Sequence, residues 1–234
     1  MLLWLYLYIK VKMKLSKHTL SMLKNFSDIN MSIEIKKGNI LRTVSVQKNI
    51  LAQAELEEEF PQDFAIYELN RFLGAVSLFD DPEFTFNGKS TNIGTARHSV
   101  DYVYCDPSMI VTPPENNITF PDPEVKFTMT QDALSQVMKA SNVLGTPEIS
   151  VESESGIINI KALDVNNDST DTFKVELEEK SEHKFRSVFK TENMKMLPGN
   201  YDVEISSKGI SHFTMQGLKL EYWIATEASS SFGG

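Results

Sequence analysis

The chain has 234 residues, 41% hydrophobic and 24% charged, enough apolar material for one large or two medium folded domains, which excludes wholesale disorder. One cysteine, Cys105, excludes an internal disulfide framework and a thiolate zinc site. Against 32 acidic residues stand 23 basic ones, a net charge of −9, so any affinity for a polyanion must come from where the charges sit.

Residues 1–12 read MLLWLYLYIKVK. The apolar run is shorter than the about 20 residues that a membrane span needs. Its lysines follow the apolar stretch, the reverse of a signal peptide. The segment is read as a non-essential extension, and no membrane association is expected.

Residues 15–26, LSKHTLSMLKNF, put Leu15, Thr19, Met22, Leu23 and Phe26 on one stripe, the pattern of a helix buried on one side, with Ser16 as its N-cap. SIEIKKGNILRTVSV then alternates as a strand pair around a glycine. An acidic strand, AQAELEEEF, follows, and then a second helical segment, AIYELNRFLGAVSLF, with Leu69, Phe72, Leu73 and Val76 on one face. EFTFNG and SVDYVYC close this half as strands.

The same order then recurs. TQDALSQVMKASN forms a helix capped by Thr130, with Ala133, Leu134, Val137, Met138 and Ser141 along its stripe. EISVESESGIINIKAL is the strand pair and DTFKVELEE the acidic strand. KTENMKMLPG is a shorter helical segment that Pro198 and Gly199 end, and YDVEISS, HFTMQG and LKLEYWIATEA are the closing strands. Between the halves, residues 106–126 hold five prolines and read as an extended connector. The predicted organisation is an extension over 1–12, a domain over 13–105, a connector over 106–126, a second domain over 127–228 and a flexible tail over 229–234.

Charge follows this division. Lys14, Lys17, Lys24, Arg71, Lys139, Lys190 and Lys195 fall on or beside the helical segments, against Glu68, Asp132 and Glu192. The acidic excess lies on the strands. Basic helices on an acidic sheet scaffold suit loose, sequence-independent contact with a phosphate backbone.

Signals for catalysis are weak. His18, His98, His183 and His212 have no metal-ligand spacing, and no glycine-rich phosphate loop occurs. The acidic runs Asp80, Asp81 and Glu83, and Asp164, Asp168 and Asp171, are of a kind that can bind a divalent ion but are usually solvated loops. The chain is expected not to be an enzyme, with no catalytic residue, no metal site and no cofactor.

The stretches DFAIYELNRFLGAVSLFDDPEF, ITFPDPEV, ENMKMLPGNYDVEISSKG and MKLSKHTLSMLKNFSDIN resemble the DNA polymerase sliding clamp of T-even-type tailed phages. The resemblance runs from Met13 to about Ala228. It implies an α+β, duplicated DNA-clamp fold: two similar domains, each with two helices packed on antiparallel sheet, assembling into a homotrimeric ring around double-stranded DNA. It further implies sequence-independent DNA contact, a replicative DNA polymerase tethered for processive synthesis, loading by an ATP-driven clamp loader, a role with late-transcription factors, and a place in the cytoplasm of an infected bacterial host. On this reading Lys14, Lys17, Lys24, Arg71, Lys139, Lys190 and Lys195 face DNA. Met109, Ile110, Val111, Phe120, Tyr222 and Trp223 are candidates for a pocket that takes partner peptides. Six domains with two helices each, spaced roughly 10 Å apart, would leave a bore roughly 28 Å across, wide enough for a duplex.

Two other readings fit the pattern less closely: a non-enzymatic, β-rich phage virion or tail assembly protein, and a hydrolase built on the acidic loops. Because the repeat accounts for everything from Met13 onward, deleting residues 1–12 is expected to leave fold and assembly intact. Thermal melting and mass measurement of the truncated chain check this, and a large loss of stability would place the segment in a core.

Overall fold

The computed structural model describes residues 12–116 and 118–233. They divide into two compact units, one running to Thr43 and resuming over Glu55–Thr112, the other made of Val44–Ala54 and the chain from Pro113 onward. The division between Thr112 and Pro113 falls inside the expected connector. The transfer of Val44–Ala54 to the second unit differs from the sequence-based boundaries.

The first unit and its shared strand run β1 (Lys12–Met13), α1 (Lys17–Ile29), β2 (Ile33–Ile35), β3 (Gly38–Val44), β4 (Ile50–Phe60), β5 (Phe64–Ile66), α2 (Leu69–Val76), β6 (Glu83–Phe86), β7 (Ser90–Gly94) and β8 (Ser99–Val103). The second runs β9 (Val125–Met129), α3 (Gln131–Leu144), β10 (Glu148–Ser153), β11 (Ile157–Leu163), β12 (Phe173–Lys180) and β13 (Lys184–Lys190). A 3-10 turn, Thr191–Asn193, follows, then β14 (Tyr201–Ser206), β15 (Ile210–Met215), β16 (Leu220–Ala225) and β17 (Ser231–Gly233). Element for element the second series repeats the first, with the 3-10 turn in the place of α2 and β17 added.

Each helix forms where its stripe requires. Ser16 Oγ accepts from the Thr19 N–H at 3.1 Å, and Met22, Leu23 and Phe26 are 1%, 0% and 0% exposed. Burial of each such side chain contributes about 1.5–3 kcal/mol. Thr130 Oγ1 caps α3 by accepting from the Ala133 N–H at 3.2 Å. Gly145 ends α3 with φ at 68°, a left-handed position that costs a glycine nothing. Within the first unit α1 packs beside α2, and within the second α3 crosses β10, β11 and β12.

The sheets of the first unit are β1-β6-β7-β8 and β2-β5. Those of the second are β12-β11-β10-β13-β17 and the series β9-β14-β15-β16-β4, which β3 extends. Phe64 stacks on Tyr104 at 4.7 Å and meets Phe60 and Phe86 edge-on or tilted, an aromatic core for the first unit. In the second, Tyr201 lies between Phe213 and Tyr222 at 6.3 and 6.1 Å.

Several expectations are corrected. The helix expected over KTENMKMLPG is a single 3-10 turn, so the second unit has one α-helix and not two. β13 occupies the chain up to Lys190, and Pro198 disfavours helical backbone at Leu197, which leaves too few residues to nucleate a helix. The segment AIYELNRFLGAVSLF contributes helix over Leu69–Val76, because Ile66 is already strand, paired with Ile33. That pairing also replaces the expected hairpin between β2 and β3; the hairpin between β10 and β11 forms as expected. β7 was hidden by its polar sequence, STNIG.

The tail is not frayed over Ser231–Gly233. It pairs with Lys184–Arg186 and stacks Phe232 on Phe185 at 5.8 Å, which covers the edge that β13 would otherwise present. Of the proposed extension, residues 1–11 lie outside the described residues. Lys12 pairs with Thr85 in β1, and its ammonium meets Glu83 at 2.5 Å.

One carboxylate ties a strand to a helix start. Glu58 of β4 accepts from the Ser16 N–H and from Thr19 Oγ1, the latter at 2.7 Å. Burial pushes its carboxyl up, but the hydrogen bonds from Thr19 and Ser16 together outweigh it and hold the group below the usual carboxylate range. A lowered folded-state pKa means stabilisation that is present above the unfolded value and lost as pH falls through the folded one. Glu58→Gln should therefore cost about 1 kcal/mol in urea melts at neutral pH, with the gap to wild type closing on acidification.

Candidate nucleic-acid interface and docking surface

A helix buried on one side leaves a regular exposed row on the other, and here both long helices carry lysine in that row. On α1 the row is Lys17, Ser21, Lys24 and Asp28. Lys24 Nζ reaches Asn70 Oδ1 of α2 at 3.1 Å and Asp28 at 3.5 Å, so its charge is partly answered within the first unit. On α3 the row is Asp132, Gln136, Lys139 and Val143, with Gln136 donating to Asp132 at 2.6 Å. Lys17 and Lys139 are exposed.

The other expected basic residues lie elsewhere. Lys14 precedes α1 and is bound to Asp81, whose hydrogen bond raises the lysine's pKa. Lys190 ends β13 and is half-buried; Lys195 is exposed beyond the 3-10 turn, so neither is on a helix. Arg71, on α2, is 77% exposed with Glu68 at 3.5 Å. Over the three α-helices, Lys17, Lys24, Arg71 and Lys139 stand against Asp28 and Asp132, a smaller basic excess than the sequence suggested. Asp28 was missed because the helix runs past Phe26 to Ile29. Lysine ammonium groups among serine, asparagine and glutamine can attract phosphates without reading bases.

The residues expected to form a peptide pocket separate into groups. Met109 is 63% exposed at the end of a 3-10 turn, Pro107–Met109, with Ile110 and Val111 half-buried after it. Those three belong to the first unit. In the second, Trp223 lies flat on His212, with ring centroids 4.7 Å apart and planes 7° apart, and Phe120 meets the same imidazole at 5.5 Å. His212 Nε2 is 2.9 Å from Glu221 and its Nδ1 3.4 Å from Glu204. Lys126 meets Glu204 at 2.7 Å; that hydrogen bond, with the one from His212, holds the Glu204 carboxyl below its usual range.

Tyr222 and Trp223 are both corrected: Tyr222 is fully buried on one face of β16, and Trp223, on the opposite face, is only 8% exposed because the His212 ring stacks on it. The Tyr222 hydroxyl accepts from the Leu197 N–H at 3.1 Å, and burial pushes its pKa well up. Nothing in the sequence signals His212 in this stack, since a lone histidine on an alternating strand carries no motif.

Among the described residues no group of three or more His, Cys, Asp or Glu is placed to hold a metal ion. In the first acidic run, Asp81 and Glu83 are instead paired with Lys14 and Lys12. No helix among the described residues is long and apolar enough to cross a membrane.

A helix-on-sheet repeat written twice in one chain, with lysine rows on its helices, defines a clamp-type protein of the processivity-factor class. The comparisons agree in both halves: residues 14–112 match the family model of the DNA polymerase processivity factor, and residues 126–228 match that of the gp45 sliding clamp, C terminal. The sliding clamp of Vibrio phage KVP40 is 35% identical, over 92% of this chain and 100% of that protein. That of Enterobacteria phage T4 is 32% identical, over 94% and 99%. Among solved structures, the PCNA of A. fulgidus superposes with a TM-score of 0.69 at 14% identity, over 95% of this chain and 99% of that one. The Helicobacter pylori beta clamp does so with 0.70 at 15%, over 94% and 66%. Those two likenesses show the fold. The chain belongs to the phage sliding-clamp family, and its function is that of a DNA polymerase processivity factor.

If Tyr222 is core and Met109 is surface, truncation should separate them. Tyr222→Ala should cost about 3–5 kcal/mol in urea unfolding, and Met109→Ala should stay within about 0.5 kcal/mol of wild type.

Proposed function

We propose that three copies of this chain close into a ring around duplex DNA, with the exposed rows of α1 and α3 towards the phosphates, and that the ring holds the polymerase by topology and performs no chemistry of its own. A ring must be opened to admit DNA, so an ATP-driven loader is the partner this reading requires. Met109, Ile110 and Val111 on one unit, and the half-buried Phe120 on the other, are the surfaces proposed for partner peptides, with Trp223 as a buried support beneath His212.

The observation that carries the ring is a sheet edge. β16 pairs antiparallel with the start of β4, from Leu220 opposite Ala54 to Ile224 opposite Ile50. In the repeat β8 corresponds to β16 and β12 to β4. Yet β8 and β12 each stand at the end of a sheet among the described residues. An unpaired edge is a template for another strand. Pairing β8 of one copy with β12 of the next repeats the join that β16 and β4 make, and repetition of a head-to-tail contact closes a ring when the rotation permits. One chain is 26.5 kDa, so a trimer is about 80 kDa. Sedimentation should give that mass, and a monomer at every concentration would overturn the ring.

DNA tethering should then depend on three lysines. Reversing Lys17, Lys24 and Lys139 to Glu leaves the buried stripes untouched and puts about 18 negative charges more into a trimer, within a Debye length of about 8 Å of the phosphates. The variant should still trimerise and lose most processive synthesis with loader and polymerase. Reversing three exposed lysines of strand turns, Lys89, Lys208 and Lys219, should change it little. Equal loss in both would mean that total charge governs, and not the helical face.

A further inference from the structure

We infer that Arg71 belongs to the seam between neighbouring copies, where it binds the acidic loop that joins β11 to β12 of the adjacent chain. The inference rests on the ring reading and adds a partner for each of two features which that reading leaves unused.

The first feature is a groove of about 390 Å³ beside β8, lined by Tyr67, Glu68 and Arg71 of the α2 region and by Val100, Tyr102 and Cys105 of the β8 region. Tyr67 is 49% exposed and Val103, at the end of β8, is 71% exposed, a large apolar exposure next to an open strand edge. The Arg71 guanidinium projects at the groove with a single exposed glutamate, Glu68, at 3.5 Å, an interaction of little strength. The second feature is the loop over residues 164–172, which carries Asp164, Asp168 and Asp171, the latter two exposed.

The repeat brings them together. In the second unit the turn between β3 and β4 sits beside the join of β16 and β4: the Ala225 N–H donates to the Asn49 carbonyl at 2.9 Å. The Asn49 side chain, fixed by Ser45 Oγ at 2.6 Å, donates to Asn193 Oδ1 at 3.3 Å. Asn193 and Arg71 occupy the same place in the repeat. The Leu69 N–H donates to the Met31 carbonyl at 2.7 Å, two residues before Ile33 of β2; the Thr191 N–H donates to the Pro147 carbonyl at 2.9 Å, two residues before Ile149 of β10. Arg71 lies two residues beyond Leu69, and Asn193 two beyond Thr191. The loop between β11 and β12 is in turn the counterpart of the turn between β3 and β4. A contact between asparagines within one chain therefore becomes, between chains, a contact between Arg71 and the carboxylates of a longer loop. Arginine's fork suits carboxylates; of the two carboxylates that also line the groove, Glu68 is weakly paired with Arg71 at 3.5 Å and Asp101 accepts from Asn92 at 2.8 Å.

The test is a charge swap read by the concentration at which the full-length protein dissociates, measured by sedimentation at low salt. Arg71→Glu should raise the dissociation midpoint about tenfold or more, and so should the pair Asp168→Arg and Asp171→Arg. Combining all three substitutions should recover most of the loss. Thermal melting of each variant at a concentration where it is monomeric confirms folding. No change in the midpoint for Arg71→Glu, or losses that add without recovery, would overturn the inference while leaving the ring in place. An unchanged ring with loss of processivity would return Arg71 to the DNA-facing set. A wild-type protein that never assembles would remove the ring reading and this inference together.

Discussion

Backbone hydrogen bonding at the edges of sheets is the constraint on which the rest of this structure depends. A strand at an edge presents donors and acceptors on one side with no protein partner, and this fold meets that problem differently at each edge. β17 covers β13, β16 takes the beginning of β4, and β8 and β12 remain at the ends of their sheets. β4 is one continuous strand whose first five residues belong to the second unit and whose remainder belongs to the first.

In the proposed ring, the duplication extends that local solution from one chain to the next. What one chain satisfies within itself, with β16 against Ile50–Ala54, it leaves undone at the equivalent pair. Side chains then decide selectivity. The join within the second unit is lined by neutral groups, Asn49 and Asn193, whereas the equivalent places carry Arg71 and a loop with three aspartates. At the proposed seam, an arginine facing carboxylates would favour the correct neighbour and register over collapse of like edges.

Charge on the rest of the surface works with this geometry. The chain is acidic in total, so non-specific attraction to polyanions is weak away from the helices, while Lys17, Lys24 and Lys139 stand in exposed rows with no aromatic or bidentate group to fix a register. In the proposed ring, contacts of this kind would cost little to break one at a time, which is what movement along a duplex requires. On the outer face of the second unit, the row Lys126, Glu204, His212 and Trp223 crosses four adjacent strands and is mutually satisfied, so it is a firm platform beneath Phe120.

The sequence by itself determined the repeat, the two long helices with their caps at Ser16 and Thr130, and the acidic strands, because those follow from apolar spacing and from short-range hydrogen bonds that a dozen residues contain. It also put Lys17, Lys24 and Lys139 on helices, where the structure has them, whereas Lys190 and Lys195 lie off any helix. Only the tertiary structure decided that KTENMKMLPG would not be a helix, since the claim of β13 on Lys190 is a long-range ladder against Glu148. Only it paired β2 with β5, ordered the tail on β13 and buried Tyr222 and Trp223 on opposite faces of β16. Each of these is a choice of partner for a strand, and alternation along a strand fixes two faces without saying which one will be buried or against what.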